Sequence, residues 1–374
     1  MDLGKFIKQS QGYTAFVPGR FPPKEKLILD DQALELLSRA TLLVGRLDGI
    51  TQVLPDVDFF MFMYVRKEAA LSSQIEGTRA TMADSIKAEN DIVTDLPEDV
   101  DDIQHYIKAM NFGLKKLASL PLSVRLLRDV HKVLLTDGRS SHFAAPGEIR
   151  RSQNWIGGGS PATASFVPPP HHFIADALGD LEKFLHASDG VPSLIKTGWA
   201  HAQFETIHPF LDGNGRTGRL LVTFYLCQQG ILQFPVLYIS EYFKKNRQSY
   251  FDLLEGYHNR GEVLLWLKFF LQGVAHVSEE AIETAKKITI LRDQDMQTVY
   301  ALGRSGKTGL LLLQNLFRLP IVMVKKVEEF TGLSRPNANK LVDRFVRVGI
   351  LEQIDKKKEY GRSFVYKKYF DLFK

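Results

Sequence analysis

His208-Pro-Phe-Leu-Asp-Gly-Asn-Gly-Arg-Thr-Gly-Arg219 gathers an imidazole, a carboxylate, three glycines and two guanidinium groups into one short run. The glycines let backbone N–H groups converge on an anion, and the residues from Thr217 onward read as a helix whose N-terminal dipole points at that anion. Upstream, Ile195, Trp199, Ala202 and Phe204 predict a helix over Ile195 to Ile207 that delivers His208 to the loop. Downstream, Leu220, Leu221, Val222, Phe224, Tyr225 and Leu226 are apolar almost all round and predict a buried central helix ending near Gly230. A loop held between two core helices implies a mainly α fold with a rigid, water-poor site.

These residue types suit attack of a hydroxyl on phosphorus. His208 is the candidate base. Asp212 supplies a hard oxygen for Mg2+, which commonly binds through one carboxylate together with phosphate oxygens. Gly213, Asn214 and Gly215 offer backbone N–H groups, and Asn214 a side-chain amide, to charge developing on the phosphates. Arg216 and Arg219, three apart, would share the first turn of the following helix and grip phosphate oxygens, with Thr217 and Gly218 completing the phosphate-binding run. Pro209 and Phe210 are expected to fix the loop against the core.

The run matches the signature of Fic-family proteins, His-x-Phe-x-(Asp/Glu)-Gly-Asn-Gly-Arg-x-x-Arg, at every specified position. The resemblance implies transfer of AMP from ATP to a Ser, Thr or Tyr hydroxyl of a target protein, or of the chain itself, with release of pyrophosphate. A second segment, Ser72-Ser73-Gln74-Ile75-Glu76-Gly77, resembles the family's inhibitory motif (Ser/Thr)-x-x-x-Glu-(Gly/Asn). Ser72 and Glu76 are four apart and share a helix face, the apolar run Phe59 to Leu71 supplies the helix, and Gly77 suits its end. The resemblance pairs Glu76 with Arg219, so that an occupied arginine cannot orient the γ-phosphate; this places the chain in the class with an N-terminal inhibitory segment. A third segment, Gly147 to Gly159, resembles the family's flap. There Gln153, Asn154, Trp155, Ile156 and Gly157 would position the target, with Gln153 to Ile156 as an edge strand of a small β-hairpin. Similarity also assigns nucleoside contacts to Tyr250, Phe251 and Asn259, on a helix Gln248 to His258 and just beyond it.

The 374 residues suffice for two or three domains, and the single cysteine, Cys227, excludes an internal disulfide framework. With an N-terminus lacking a basic region followed by an apolar core, this predicts a protein of the reducing cytoplasm. No apolar run approaches membrane-spanning length: Phe59 to Val65 is soon interrupted by Arg66-Lys67-Glu68, so no membrane partner is expected. Charge is uneven. Residues 305–374 hold 15 Lys+Arg against 7 Asp+Glu, whereas the rest holds 33 against 36.

That basic end has its own pattern. Helices are predicted at Leu310 to Phe317, Val324 to Phe330 and Arg335 to Val348, the last with Ser334 as N-cap and Gly349 as its stop. Strands follow at Ile350 to Ile354 and Ser363 to Tyr366. The order resembles a winged helix-turn-helix, with Arg335, Asn337, Asn339, Lys340 and Arg344 on its recognition helix and Lys356 to Lys358 on the wing. DNA and protein are both open as its partner, and a homodimer is a further partner to test. The reading therefore has an N-terminal helical region with the inhibitory helix over 1–110, a Fic core over 111–290 and a winged helix over 300–374, with Pro22-Pro23 and Asp95 to Asp102 as connections. Self-inhibited AMP transfer is the expected activity. The alternatives are an ATP-binding, DNA-associated regulator or scaffold and a de-AMPylase that uses Glu76 to align water. Gly303 to Thr308 approaches a P-loop but has Ala301 where the pattern needs its first glycine, and His171-His172 lacks partners for a metal site.

Overall fold

The computed structural model describes residues 1–54, 57–90, 92, 96–136, 144–303 and 306–374. An antiparallel hairpin comes first, β1 (Gly4–Lys8) and β2 (Thr14–Pro18), with Phe6 opposite Phe16. These strands fall within the region expected to be helical; their signal is the period-two pattern on either side of Gly12, which has φ +91°. Phe16 N–H donates to Val167 O at 2.9 Å, which ties the hairpin to the proline-rich stretch.

Four helices follow: α1 (Asp31–Gln52), α2 (Val57–Ile75), α3 (Met82–Glu89) and α4 (Val100–Leu117). Side chains start two of them. Asp30 accepts from Ala33 N–H, and Thr81 and Asp84 form a reciprocal capping box. Of the expected connection at Asp95 to Asp102, Asp95 lies outside the described residues, and α4 already begins at Val100. Asp99 receives the N–H groups of Arg79 and Ala80 at 2.6 and 3.0 Å and thereby fixes the turn that follows α2.

Next come α5 (Val124–Leu135), a 3-10 turn at His171–Phe173, α6 (Ile174–His186), α7 (Ser193–Ile207) and α8 (Asn214–Gln228). α8 is buried along nearly its whole length, as its apolar pattern requires, and every residue of α7 after Ser193 is buried too, including Lys196, Thr197, His201, Gln203, Glu205 and Thr206. Close approach depends on glycine: a Cβ at Gly113 of α4 would run into the Phe224 ring of α8. After α9 (Ser240–Lys245) and α10 (Arg247–Arg260), α11 (Val263–Tyr300) extends for about 57 Å at the usual helical rise. Trp266 of α11 donates to Gly198 O of α7 at 2.7 Å. The helix passes unbroken through residue 290, where sequence reading ended the second region.

The basic end folds as α12 (Gly306–Arg318), β3 (Ile321–Met323), α13 (Val324–Thr331), α14 (Arg335–Arg347), β4 (Glu352–Gln353), β5 (Ser363–Val365), α15 (Lys367–Phe370) and a 3-10 turn at Asp371–Phe373. The sheet order is β3-β5-β4, all antiparallel, with Phe364 facing Val322 on one side and Gln353 on the other. Two expectations are corrected here. Ser334 occupies the N-cap of α14 without making the capping bond, and the strand expected over Ile350 to Ile354 shrinks to Glu352–Gln353 because Ile350 and Leu351 N–H groups return to Phe345 O at the end of α14. Tyr366 O–H donates to buried Asp295 of α11 at 2.6 Å, and Phe373 meets Tyr64 of α2 edge-on with centroids 5.4 Å apart. No helix among the described residues is long and apolar enough to cross a membrane.

Candidate active site

The loop hangs between α7 and α8 and is fixed by its own backbone polar groups. Asn214 accepts from Phe210 N–H through Oδ1 and donates to Phe210 O through Nδ2, both at 2.8 Å. The expectation that this amide faces a phosphate is therefore corrected: both of its ends are used to close the loop. Phe210 is buried and stacks on His131 at 3.7 Å. Gly147 N–H donates to His131 Nδ1, so Nε2 carries the proton and donates to Asp212 O at 2.9 Å.

His208 ends α7 in the left-handed conformation, at φ 48° and ψ 60°, an uncommon geometry for a side chain with a Cβ. Its Nδ1–H donates to Glu205 O at 3.2 Å, leaving the Nε2 lone pair free to act as a base. Burial, aided by the nearby Arg150 cation, lowers its pKa to about 4, so the ring is neutral at physiological pH. The loop then enters α8 through Gly213 at φ 75° with no side-chain cap, and the first intrahelical bond is Thr217 N–H to Gly213 O at 3.0 Å. The leading amides of α8 have no helical carbonyl to bond and lie where the dipole is positive. Thr217 Oγ1 is committed to Gly213 O at 2.8 Å and serves the helix start.

Arg219 projects from the second turn of α8 and is fully buried. Its Nε donates to Ser72 Oγ at 2.8 Å, and its Nη2 donates to Ser72 O at 2.9 Å and Glu76 Oε1 at 2.8 Å. The carboxylate of Glu76 lies over the N-terminus of α8, where a Cβ at Gly215 would strike it. Helix α2 stops at Ile75 and Gly77 takes φ +100°, so the chain turns away directly beyond the carboxylate. Burial opposes the Arg219 charge, but its acidic neighbours, Glu76 first among them, outweigh that and hold it more firmly cationic than an ordinary arginine. Ser72 and Glu76 thus meet Arg219 as a set. Arg216 is also buried, with Nη2 3.6 Å from Asp212 Oδ2.

Asp212 fits the cation that the motif implies. Oδ1 accepts from Gly213 N–H at 2.6 Å while the side chain stays 40 % exposed at the mouth of the loop. Among the described residues no group of three His, Cys, Asp or Glu converges, so this carboxylate suits an ion that takes its other ligands from phosphates and water.

The flap segment is more irregular than expected. Its pairing is the single antiparallel bridge Ile156 to Phe166, not an edge strand over Gln153 to Ile156. Asn154 Nδ2 donates to Phe210 O at 2.9 Å and Gln153 Nε2 to Pro168 O at 2.8 Å. Consecutive positive φ angles at Gly157 and Gly158 turn the chain at once, and Pro168 to Pro170 cannot donate to a ladder. Trp155 is exposed beside this bridge.

The nucleoside assignments separate. Tyr250 is 1 % exposed, lies against Phe243 at 4.3 Å and is in hydrogen-bond contact with His201 Nε2 at 3.0 Å. It is a core residue, with its ring and hydroxyl both engaged inside the protein. Phe251 is half-buried with Arg247 over its ring at 4.9 Å, and Asn259, exposed and within α10, donates to Glu255 at 3.4 Å.

Sequence reading missed three residues at the site. Arg150 is buried and spends its guanidinium on carbonyls, donating to His208 O at 2.9 Å, Ser152 O at 3.0 Å and Pro169 O at 2.5 Å. Its signal is its place in the flap segment next to exposed Arg151. His258 stacks on Phe166 at 3.6 Å beneath the bridge. Glu205, on α7, is a buried carboxyl whose oxygens lie 4.0 Å from His201 and His208.

Comparison with known proteins gives the family and the fold. The Fic/DOC family N-terminal model matches residues 34–115, which cover α1 to most of α4, and the Fic/DOC family model matches residues 121–226, which cover α5 to most of α8. Together they take in half of the chain, which belongs to the Fic/DOC family. The protein adenylyltransferase Fic of Drosophila persimilis is 30% identical over 139 residues, 37% of this chain and 24% of that protein. A probable protein adenylyltransferase of Aquifex aeolicus is 31% identical over 112 residues, 30% of this chain and 31% of that protein. The chain thus spans only a quarter to a third of the length of these relatives. In fold it is similar to a Fic family protein from Desulfovibrio desulfuricans G20, with TM-score 0.60, 18% identity, and coverage of 92% of this chain and 98% of that one. A Fic domain containing signaling protein from Bacteroides thetaiotaomicron aligns with TM-score 0.51 and 19% identity over 68% of this chain and 97% of that one.

Proposed function

We propose that the chain is a self-inhibited protein adenylyltransferase. The observation that carries this reading is the Arg219 guanidinium held by Ser72 and Glu76 in front of an uncapped helix N-terminus, beside a neutral His208. A target hydroxyl oxygen attacks the α-phosphorus of ATP, His208 Nε2 takes the hydroxyl proton, and the bond from that phosphorus to the bridging oxygen breaks to release pyrophosphate. The leading amides of α8 and the Arg216 fork hold phosphate oxygens. Asp212 would hold Mg2+, which would supply positive charge to the phosphate oxygens. With Glu76 in place Arg219 is denied to the γ-phosphate. Losing that charge-assisted bond is worth roughly 1.5–3 kcal/mol, so Glu76→Gly raises transfer at least about tenfold. Intact-mass spectrometry of Glu76→Gly with ATP, magnesium and candidate targets tests this. An added adenylyl group abolished by His208→Ala supports the reading, and an unmodified mass in every mixture rejects it. Loss of AMP from a pre-modified target in the wild-type protein would favour the reverse reaction.

The C-terminal unit is proposed as a winged helix whose open face receives DNA. Its element order supports this, as do exposed Arg335, Asn337, Lys340 and Lys356 to Lys358 on α14 and the β4–β5 hairpin. Asn339 belongs to the framework, because it receives Arg362 at 3.0 Å. Fluorescence anisotropy with a mixed-sequence duplex should show binding that weakens steeply with salt, and Lys356→Ala/Lys357→Ala/Lys358→Ala should lower the salt slope by about 3. Absence of binding at low salt would leave protein as the partner.

A further inference from the structure

Glu205 is a buried acid that the proposed chemistry does not use. It lies in the middle of the site, three residues before His208 and against the face of α8 at Gly218, where a Cβ would collide with its Oε1. Among the described residues that oxygen has no hydrogen-bond partner, and neither has Nη1 of Arg219. Oε2 is 4.0 Å from His208 Nδ1 and Oε1 is 4.0 Å from His201 Nε2. The charged and titratable groups around it are those two histidines from its own helix, Arg219 from α8, Glu76 beyond the end of α2 and Tyr250 from α10. Neither histidine can neutralise a carboxylate there, since burial holds both neutral, at about 3 for His201 and about 4 for His208.

The only cation among these groups is Arg219, and Glu76 already holds it. Burial chiefly, opposed by Arg219 and reinforced by Glu76, raises the Glu205 carboxyl to about 8, so it is protonated at neutral pH while Glu76 is in place. Withdrawing Glu76 removes one of the influences that keep the proton on Glu205. It also leaves a buried guanidinium without its acid, an arrangement proteins avoid. Glu68, the other carboxyl near Arg219, is already committed to Ser240 Oγ at 2.5 Å and Tyr106 O–H at 3.1 Å.

We infer that Glu205 is a positioning residue, the inner carboxylate that takes over the Arg219 guanidinium when Glu76 leaves it. The step is a simple ionisation: the Glu205 O–H bond breaks, the proton passes to solvent, and the carboxylate balances Arg219 until the γ-phosphate of ATP arrives. Glu76 and Glu205 thus flank one cation and hold one negative charge between them. This inference rests on the reading that Glu76 leaves Arg219 in the active state, yet its test needs no AMP transfer.

The test is a double-mutant cycle in thermal melting with Glu76→Gly, Glu205→Gln and the pair, at pH 5 and pH 8. Glutamine mimics the protonated acid, so Glu205→Gln alone should change Tm little at pH 5, and at pH 8, near the Glu205 midpoint, by less than it does once Glu76 is removed. With Glu76 removed, Glu205→Gln should lower Tm by at least about 3 °C more than the sum of the single changes at pH 8, and by nothing extra at pH 5. Additivity at both pH values overturns the inference. If the pair does not fold, isotope-edited infrared spectra of glutamate-labelled protein decide: a protonated-carboxyl band at pH 7 that Glu205→Gln removes should also be lost in Glu76→Gly, and its persistence there overturns the inference. In the Glu76→Gly background, Glu205→Gln should reduce turnover about tenfold and abolish its rise with pH between 6 and 8, whereas a merely structural role would leave the pH profile unchanged.

Discussion

Asn214 shows how partners decide the task of a motif residue. An amide in a phosphate-binding run reads as an anion ligand, yet here both its ends close the loop on Phe210. Asn214→Ala should cost about 2–4 kcal/mol, because two buried backbone groups lose their partner, and thermal melting will show it without any nucleotide present. His208, Asp212, Arg216 and Arg219 could be named from their types and spacing because phosphate chemistry needs those groups. The titration state of His208 could not, since it follows from burial and from Arg150, which is 58 residues distant in the chain.

At the scale of elements, α7 and α8 follow from apolar periodicity, spaced along one helix in α7 and almost all round in α8. The flap did not follow. A glycine-rich run specifies a turn but no ladder, and side-chain bonds from Gln153 and Asn154 took the place of strand pairing. Arg150 is the tie between this segment and the loop, so Arg150→Lys, which keeps the charge but loses the fork, should release it. Hydrogen exchange is the measurement: the Ile156 and Phe166 amides should lose protection about 10-fold or more while amides within α8 keep theirs.

At the scale of the whole molecule, the basic end is seated on the body through Tyr366 on Asp295 and Phe373 on Tyr64. Tyr366→Phe leaves a buried carboxylate oxygen without its donor and should destabilise the C-terminal unit by about 1–3 kcal/mol, measurable as faster proteolysis after α11. The body also has an acid limit. His131, His201, His208 and His258 are held neutral by burial, at about 4, 3, 4 and 3. Unfolded imidazoles titrate near 6.5, so between there and the folded values the unfolded chain binds more protons and stability falls as pH falls. Each contributes about 1.4 kcal/mol per pH unit in that window. Glu205 and Glu68, raised by burial, have the opposite sign and soften the slope. Melting temperature should therefore drop steeply from pH 6.5 to pH 4.5, and a flat profile would contradict the buried neutral histidines.

The sequence by itself determined the groups that handle phosphate, the helices on either side of them and the acidic segment able to oppose them, because these depend on residue type and local spacing. Only the tertiary structure decided that Glu76 meets Arg219 across 143 residues, that Tyr250 is core, and that Glu205 is buried against Gly218 of α8. Those outcomes depend on which side chains packing brings together and on how much water it removes from them, and neither quantity is carried by the local pattern.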